Sequence, residues 1–161
     1  MIIKMRIDDR LLHGQVAYSW KSALTFDAIV IANDSAANND IRKTALKLSC
    51  PDGVHLAVRT IEEAAKLLKN PKLDDMKVFV ICANPKDAYL LLNLIDERPV
   101  LNLGGMQKAE DKVYFSPAVF VSKEDIEYLD KILQLNVKIE VRQVPSESAK
   151  DYVQLKNKIK F

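Results

Sequence analysis

Residues 6 to 16 read RIDDRLLHGQV, which puts two aspartates, two arginines, a histidine and a glycine within eleven positions. His13 is the candidate reactive group, because imidazole is a competent nucleophile near neutral pH. A histidine just ahead of a helix feels the positive end of the helix dipole, which favours the neutral ring, and Arg10 acts in the same direction. Such a ring is poorly placed to hold a proton and well placed to accept a negatively charged group. Phosphate fits, since free N–H groups at a helix start bind anions and Gly14 lets the backbone approach closely. The planar fork of Arg10 suits phosphoryl oxygens. Asp8 or Asp9 could accept a hydrogen bond from the other ring nitrogen and set its tautomer. The competing reading is an ion-pair network of Arg6, Asp8, Asp9 and Arg10 with His13 as a simple helix cap. Spacing alone does not separate the two.

Strand-like and helix-like segments alternate around this cluster. IIKMRI (2–7) precedes it and GQVAYSWKSAL (14–24) follows as a helix. FDAIVIAN (26–33) is a β-branched run of the kind buried on both faces of a sheet. NDSAANND (33–40) reads as a solvated loop leading to Arg42 near a helix start. NNDIRKTALKLS (38–49) spaces Ile41, Ala45 and Leu48 by four and three, which predicts an amphipathic helix stopped by CPDG. Strand 54–58 and helix 60–69 come next, the helix with Thr60 and Glu63 at capping-box spacing. Strand 77–83, helix 86–95 and strand 99–103 follow, the last ended by Gly104 and Gly105. Residues 112–121 suggest a hairpin, 122–135 a helix, 137–144 a strand and 146–159 a final helix.

This alternation predicts an α/β fold, an open, mainly parallel β-sheet with helices on both faces, in one domain over residues 1–161. In such sheets ligands bind beyond the C-terminal strand ends. The cluster lies at that edge, which favours the chemical reading over the capping one. Adjacent parallel strands would bring the loops of Arg10 and Arg42 together there.

The formal net charge is +2, with basic residues spread along the chain, so nothing points to nucleic acid or an anionic membrane. Cys50 and Cys82 are far apart and read as reduced thiols of a cytoplasmic protein. No apolar run approaches membrane-spanning length, and the chain enters a strand at once rather than a signal peptide. His55, in mid-strand, reads as a partly buried structural residue. No metal centre is expected from two histidines and two cysteines without paired spacing. Neither GxGxxG nor GxxxxGK[ST] occurs, so no dinucleotide or P-loop cofactor is expected.

RIDDRLLHGQV strongly resembles the active-site segment of the mannose-family IIB proteins of the bacterial phosphoenolpyruvate-dependent sugar phosphotransferase system. The likeness continues in order through residues 29–54, 84–91 (NPKDAYLL), 101–106 (LNLGGM) and 137–145 (VKIEVRQVP), and so covers essentially the whole chain. Leu12 stands where relatives often carry isoleucine. The resemblance implies a phosphotransferase without cofactor or metal, which accepts a phosphoryl group from phosphorylated IIA on Nδ1 of His13. It then passes the group to a sugar held by membrane IIC and IID partners. Arg10, Gly14, Gln15 and Arg42 are the implied phosphoryl-binding positions, and Asp8 and Asp9 the orienting ones. It also implies a cytoplasmic protein that meets the membrane transporter peripherally, and a homodimer is compatible with it. The sugar is left open.

Two other classes share parts of this pattern. Receiver-type signalling domains carry paired acids after strand one, but they also need an aspartate ending strand three and a lysine after strand five. Here strand three ends in Val58-Arg59, and no lysine follows strand five in the expected place. A non-catalytic α/β binding module is the third reading.

Overall fold

Apolar runs of about five residues, separated by capped amphipathic segments, set the order of elements in the computed structural model, which describes residues 1–161. The order is β1 (Ile2–Asp8), α1 (Gly14–Leu24), β2 (Ala28–Ala32), α2 (Asp34–Ala37), α3 (Asp40–Ser49), β3 (His55–Arg59) and α4 (Ile61–Leu68). Then come β4 (Val78–Cys82), α5 (Pro85–Leu94), β5 (Leu101–Gly105), β6 (Val113–Ser116) and β7 (Val119–Val121). The chain ends with α6 (Lys123–Gln134), β8 (Ile139–Val141), β9 (Lys150–Asp151) and α7 (Tyr152–Lys156). Side chains of Asn33, Asn39, Asn84 and Asp151 accept from first-turn N–H groups, and Thr60 and Ser122 complete capping boxes.

The main sheet runs β3-β2-β4-β1-β5-β8-β9, with every pairing parallel except the antiparallel β8–β9 edge. β6 and β7 form the separate hairpin suggested by the sequence. β1 and β2 are not neighbours, because β4 lies between them. The expected α/β class therefore holds, while the expected adjacency of the Arg10 and Arg42 loops does not.

The two sheet faces differ. On one, Met5, Ile7, Val80, Leu103 and Ile139 pack beneath α4, α5 and α6 in a continuous apolar core. On the other, Ile29, Ile31, Phe79 and Ile81 pack under Trp20 of α1 and Leu46 of α3. Beyond β4 that second face turns polar. β1 presents Lys4, Arg6 and Asp8, β5 presents Asn102, and β8 presents Glu140, all buried. Arg6 pairs in register with Asn102, and Asn102 with Glu140, so the three strands align one polar row.

Several local expectations need correction. Residues 34–37 form α2 instead of a solvated loop, capped by buried Asn33. α3 rests on α2, which rests on β3, so α3 buries Leu46 and turns Ile41, Ala45 and Leu48 outward, with Ile41 86% and Leu48 84% exposed. The periodicity was that of a helix, but its apolar stripe faces water. His55 is exposed at the start of edge strand β3 and not partly buried. Residues 146–159 are not one helix: β9 folds back on β8, and α7 is held by buried Tyr152 against Phe115. No helix is long and apolar enough to cross a membrane.

Candidate functional site

β1 ends in a tight turn, in which the N–H of Leu11 donates to the carbonyl of Asp8 at 2.9 Å. Leu11 takes a left-handed φ of 59°, costly for a branched side chain, and its burial at 1% exposure holds it there. The turn delivers His13 as the N-cap of α1. Its ring does not cap the helix but turns to Asp8, with Nε2 2.9 Å from Oδ2. The first-turn N–H groups of α1 at Gly14 and Gln15 are left without a side-chain cap, and both residues are exposed. Gly14 has φ +40°, so it makes the backbone bend that joins the turn to the helix.

Asp8 is the hub. Its side chain is 2% exposed; Oδ2 accepts from the Arg6 guanidinium at 2.9 and 3.3 Å as well as facing His13. Oδ1 accepts the backbone N–H of Arg10 at 2.9 Å. A carboxylate so engaged acts as acceptor from the ring, which places the ring proton on Nε2 and leaves Nδ1 unprotonated in the neutral histidine. Asp9 does something else. It accepts the backbone N–H of Gln107 at 2.7 Å and its side-chain amide at 3.2 Å, tying the turn to the segment after β5. Of the two candidate orienting acids, Asp8 alone touches His13.

An open cavity of about 390 Å³ lies over the ring, walled by His13 and Arg10 on one side and by Gln107, Lys108, Pro117 and Gln143 on the others. Arg10 is exposed and its guanidinium makes no hydrogen bond within the protein. Gly14 and Gln15 lie at the helix start beside the cavity lining and not in it, and Arg42 on α3 also stands outside it. His55 is on the far edge strand. The Cys82 thiol is buried and pushed up by that burial, which leaves it protonated and inert.

Beneath the ring runs the polar row described above. Arg6 also donates to Asn102 Oδ1 at 2.7 Å and to the carbonyl of Gln143 at 2.9 Å. Asn102 donates to Glu140 at 3.0 Å, and Glu140 pairs with Lys4 and Arg142, each at 2.9 Å. Trp20 covers the row, with Lys4, Arg6 and Arg142 at 5.3, 5.7 and 5.4 Å from its ring centre. No buried side-chain polar atom lacks a partner. Gly104 makes the arrangement possible, because a Cβ there would overlap the Arg6 guanidinium. Arg6 entered the sequence reading only as a member of the competing ion-pair network, of which the Arg6–Asp8 pair forms, and Asn102, Glu140, Trp20 and Lys108 were not singled out for this site. The signal for three of them was present: IKMRID, LNL and KIEVRQ alternate apolar and polar where doubly covered strands should be uniformly apolar.

Burial raises the Glu140 carboxyl, but hydrogen bonds and charge from Lys4 and Arg142 outweigh it and hold the group below its ordinary value of 4.5. A depressed folded-state value means that Glu140 stabilises the fold above its unfolded value and loses that contribution as pH falls through the folded one. Thermal melts of wild type and Glu140→Gln should therefore differ most above about pH 5 and converge in acid. A gap that is constant with pH would contradict this assignment.

A family model described as the PTS system sorbose subfamily IIB component matches residues 2–161. The PTS system sorbose-specific EIIB component of Lacticaseibacillus casei is 35% identical over 152 residues, covering 94% of this chain and 93% of that protein. The PTS system mannose-specific EIIAB component of Escherichia coli K12 is 32% identical over 154 residues, covering 96% of this chain and 48% of that protein. The crystal structure of the IIBSor domain of the sorbose permease from Klebsiella pneumoniae superimposes with a TM-score of 0.94 at 32% identity, over 100% of this chain and 99% of that one.

Proposed function

The chain belongs to the sorbose-subfamily IIB family of the sugar phosphotransferase system, and on that premise we propose that it carries a phosphoryl group on Nδ1 of His13. It is a phosphotransferase of sugar uptake. The observation that carries the assignment is the Asp8 contact, which occupies Nε2 and leaves Nδ1 as the free nucleophile beside an open cavity. The Nδ1 lone pair attacks phosphorus, and the bonding pair to the donor group returns to IIA. Phosphorylation makes the ring positive, and the Asp8 carboxylate stabilises that charge through Nε2–H. In the second transfer a sugar hydroxyl oxygen attacks phosphorus, the Nδ1–P pair returns to the ring, and the hydroxyl proton passes to solvent. The sugar is presented by the membrane IIC and IID partners, so the carrier works in the cytoplasm and docks peripherally. A relative that joins A and B components in one chain supports IIA as the donor.

Arg10 and the N–H groups of Gly14 and Gln15 bind the transferring oxygens, as a step dominated by positioning and electrostatics requires. Arg42, at the first turn of α3 and without a side-chain hydrogen bond, is the candidate second cation, although it stands outside the cavity. The experiment is transfer from phosphoenolpyruvate through the general phosphotransferase proteins and a cognate IIA to the purified chain. Wild type should take up acid-labile, base-stable label. Arg10→Lys keeps charge but loses the fork and should be slowed on the order of 10²-fold. Arg42→Lys should be slowed more than the Lys43→Ala control. If it matches that control, Arg42 belongs to the solvated helix face and Arg10 is the sole phosphoryl-binding arginine.

A further inference from the structure

The reactive ring is the end of a buried row of charges, and Arg6 is the member that joins ring to row. Its guanidinium spends four contacts on fixed acceptors, two to Asp8 Oδ2, one to Asn102 Oδ1 and one to the carbonyl of Gln143. The residue is 1% exposed, lies against Trp20 and occupies space that only a glycine at position 104 leaves open. We propose that Arg6 is a positioning residue for phosphoryl transfer, holding Asp8 as an unprotonated acceptor so that the neutral His13 ring keeps its proton on Nε2 and its lone pair on Nδ1. The inference rests on the phosphohistidine reading above.

Without Arg6, Asp8 would be a buried carboxylate facing only His13 and the N–H of Arg10. Such a carboxylate can pull a second proton onto the ring, giving imidazolium, in which Nδ1 is protonated. Alternatively it can take a proton itself and donate to Nε2, which again places the ring proton on Nδ1. Both outcomes remove the nucleophilic lone pair. A lysine at position 6 would bring charge but not the fork that reaches Asp8, Asn102 and Gln143 together. The remaining charges of the row, Lys4, Glu140 and Arg142, reach Asp8 only through Asn102 and Arg6.

The test uses the full chain labelled with ¹⁵N-histidine in a His55→Gln background, which leaves His13 as the sole histidine signal. Ring ¹⁵N shifts report the tautomer, and transfer from phosphorylated IIA reports the rate. The variants are Arg6→Lys and Gly104→Ala, the second displacing the guanidinium without removing its charge. Leu129→Ala, in the buried face of α6 away from the row, serves as a control for loosened packing. Wild type and the control should hold the Nε2–H form and transfer at similar rates. Arg6→Lys and Gly104→Ala should gain an Nδ1-protonated population and lose at least about tenfold in transfer, the scale seen when an orienting partner is removed. If either variant stays folded with the wild-type tautomer and rate, Arg6 is a structural ion pair and the proposal is overturned. If either unfolds, the other decides; if both unfold while the control folds, Arg6 is required for the fold and the positioning role is overturned. The tautomer readout decides the role of Arg6 even if wild type takes no label, a result that would instead overturn the phosphohistidine reading.

Discussion

His13→Ala is expected to abolish phosphoryl acceptance, a loss of more than about 10³-fold, while the protein stays folded. The fold should survive because the ring makes a single side-chain hydrogen bond, and Asp8 retains Arg6 and the Arg10 N–H when the ring is removed. No other histidine and no cysteine lines the cavity. Asp9 is engaged by Gln107, Cys82 is a buried thiol, and His55 lies on the far edge of the sheet. Label transfer together with circular dichroism checks both parts. Label on the folded variant would overturn His13 as the acceptor, and label that base removes would indicate an aspartyl phosphate and favour receiver-type chemistry.

Asp8→Asn should slow transfer on the order of 10²- to 10³-fold, the cost of losing one preorganised contact to the developing charge. The native carboxylate accepts on both oxygens, from Arg6 and His13 on one side and from the Arg10 N–H on the other. An asparagine has one acceptor oxygen to cover two sets of donors. With its amide toward Arg6 and His13, donor faces donor and the ring proton is driven to Nδ1. With its amide toward Arg10, the turn that presents His13 loses its tie. Either way Arg6 is left as a buried cation without its ion-pair partner, so stability should fall by about 3 kcal/mol. Single-turnover transfer and chemical denaturation measure the two effects separately. A variant within threefold of the wild-type rate would mean that the Asp8 contact does not govern the ring.

The alternation of apolar runs and capped helices made the sheet class readable, because β2 and β4 are buried on both faces and carry nothing but apolar residues. Helix α1 coincides with the segment read from the sequence, Gly14 to Leu24, with Trp20 on its buried face. Strand order was not readable: pairing is decided by which apolar faces meet in space, and β4 inserts between β1 and β2. The face of α3 was misplaced for a related reason. Periodicity identifies an apolar stripe but not what covers it, and α2 lies where the sheet was expected. In the site, residues adjacent in sequence, Asp8 through Gly14, were legible, whereas Asn102 and Glu140 reach it only through strand register, and Gln143 through the segment after β8. The choice between Asp8 and Asp9 also needed the third dimension, because the turn points the first inward and the second toward Gln107.

The most direct test of the phosphohistidine assignment is heteronuclear NMR of the ¹⁵N-histidine-labelled chain, recorded before and after phosphorylation through IIA. A phosphorus coupling to Nδ1 of His13, with Nε2 still protonated and His55 unchanged, is the predicted result. Coupling to Nε2, or a phosphorylated protein whose His13 signals do not move, would contradict the account, because the nitrogen held by Asp8 could not then be the one that is spared.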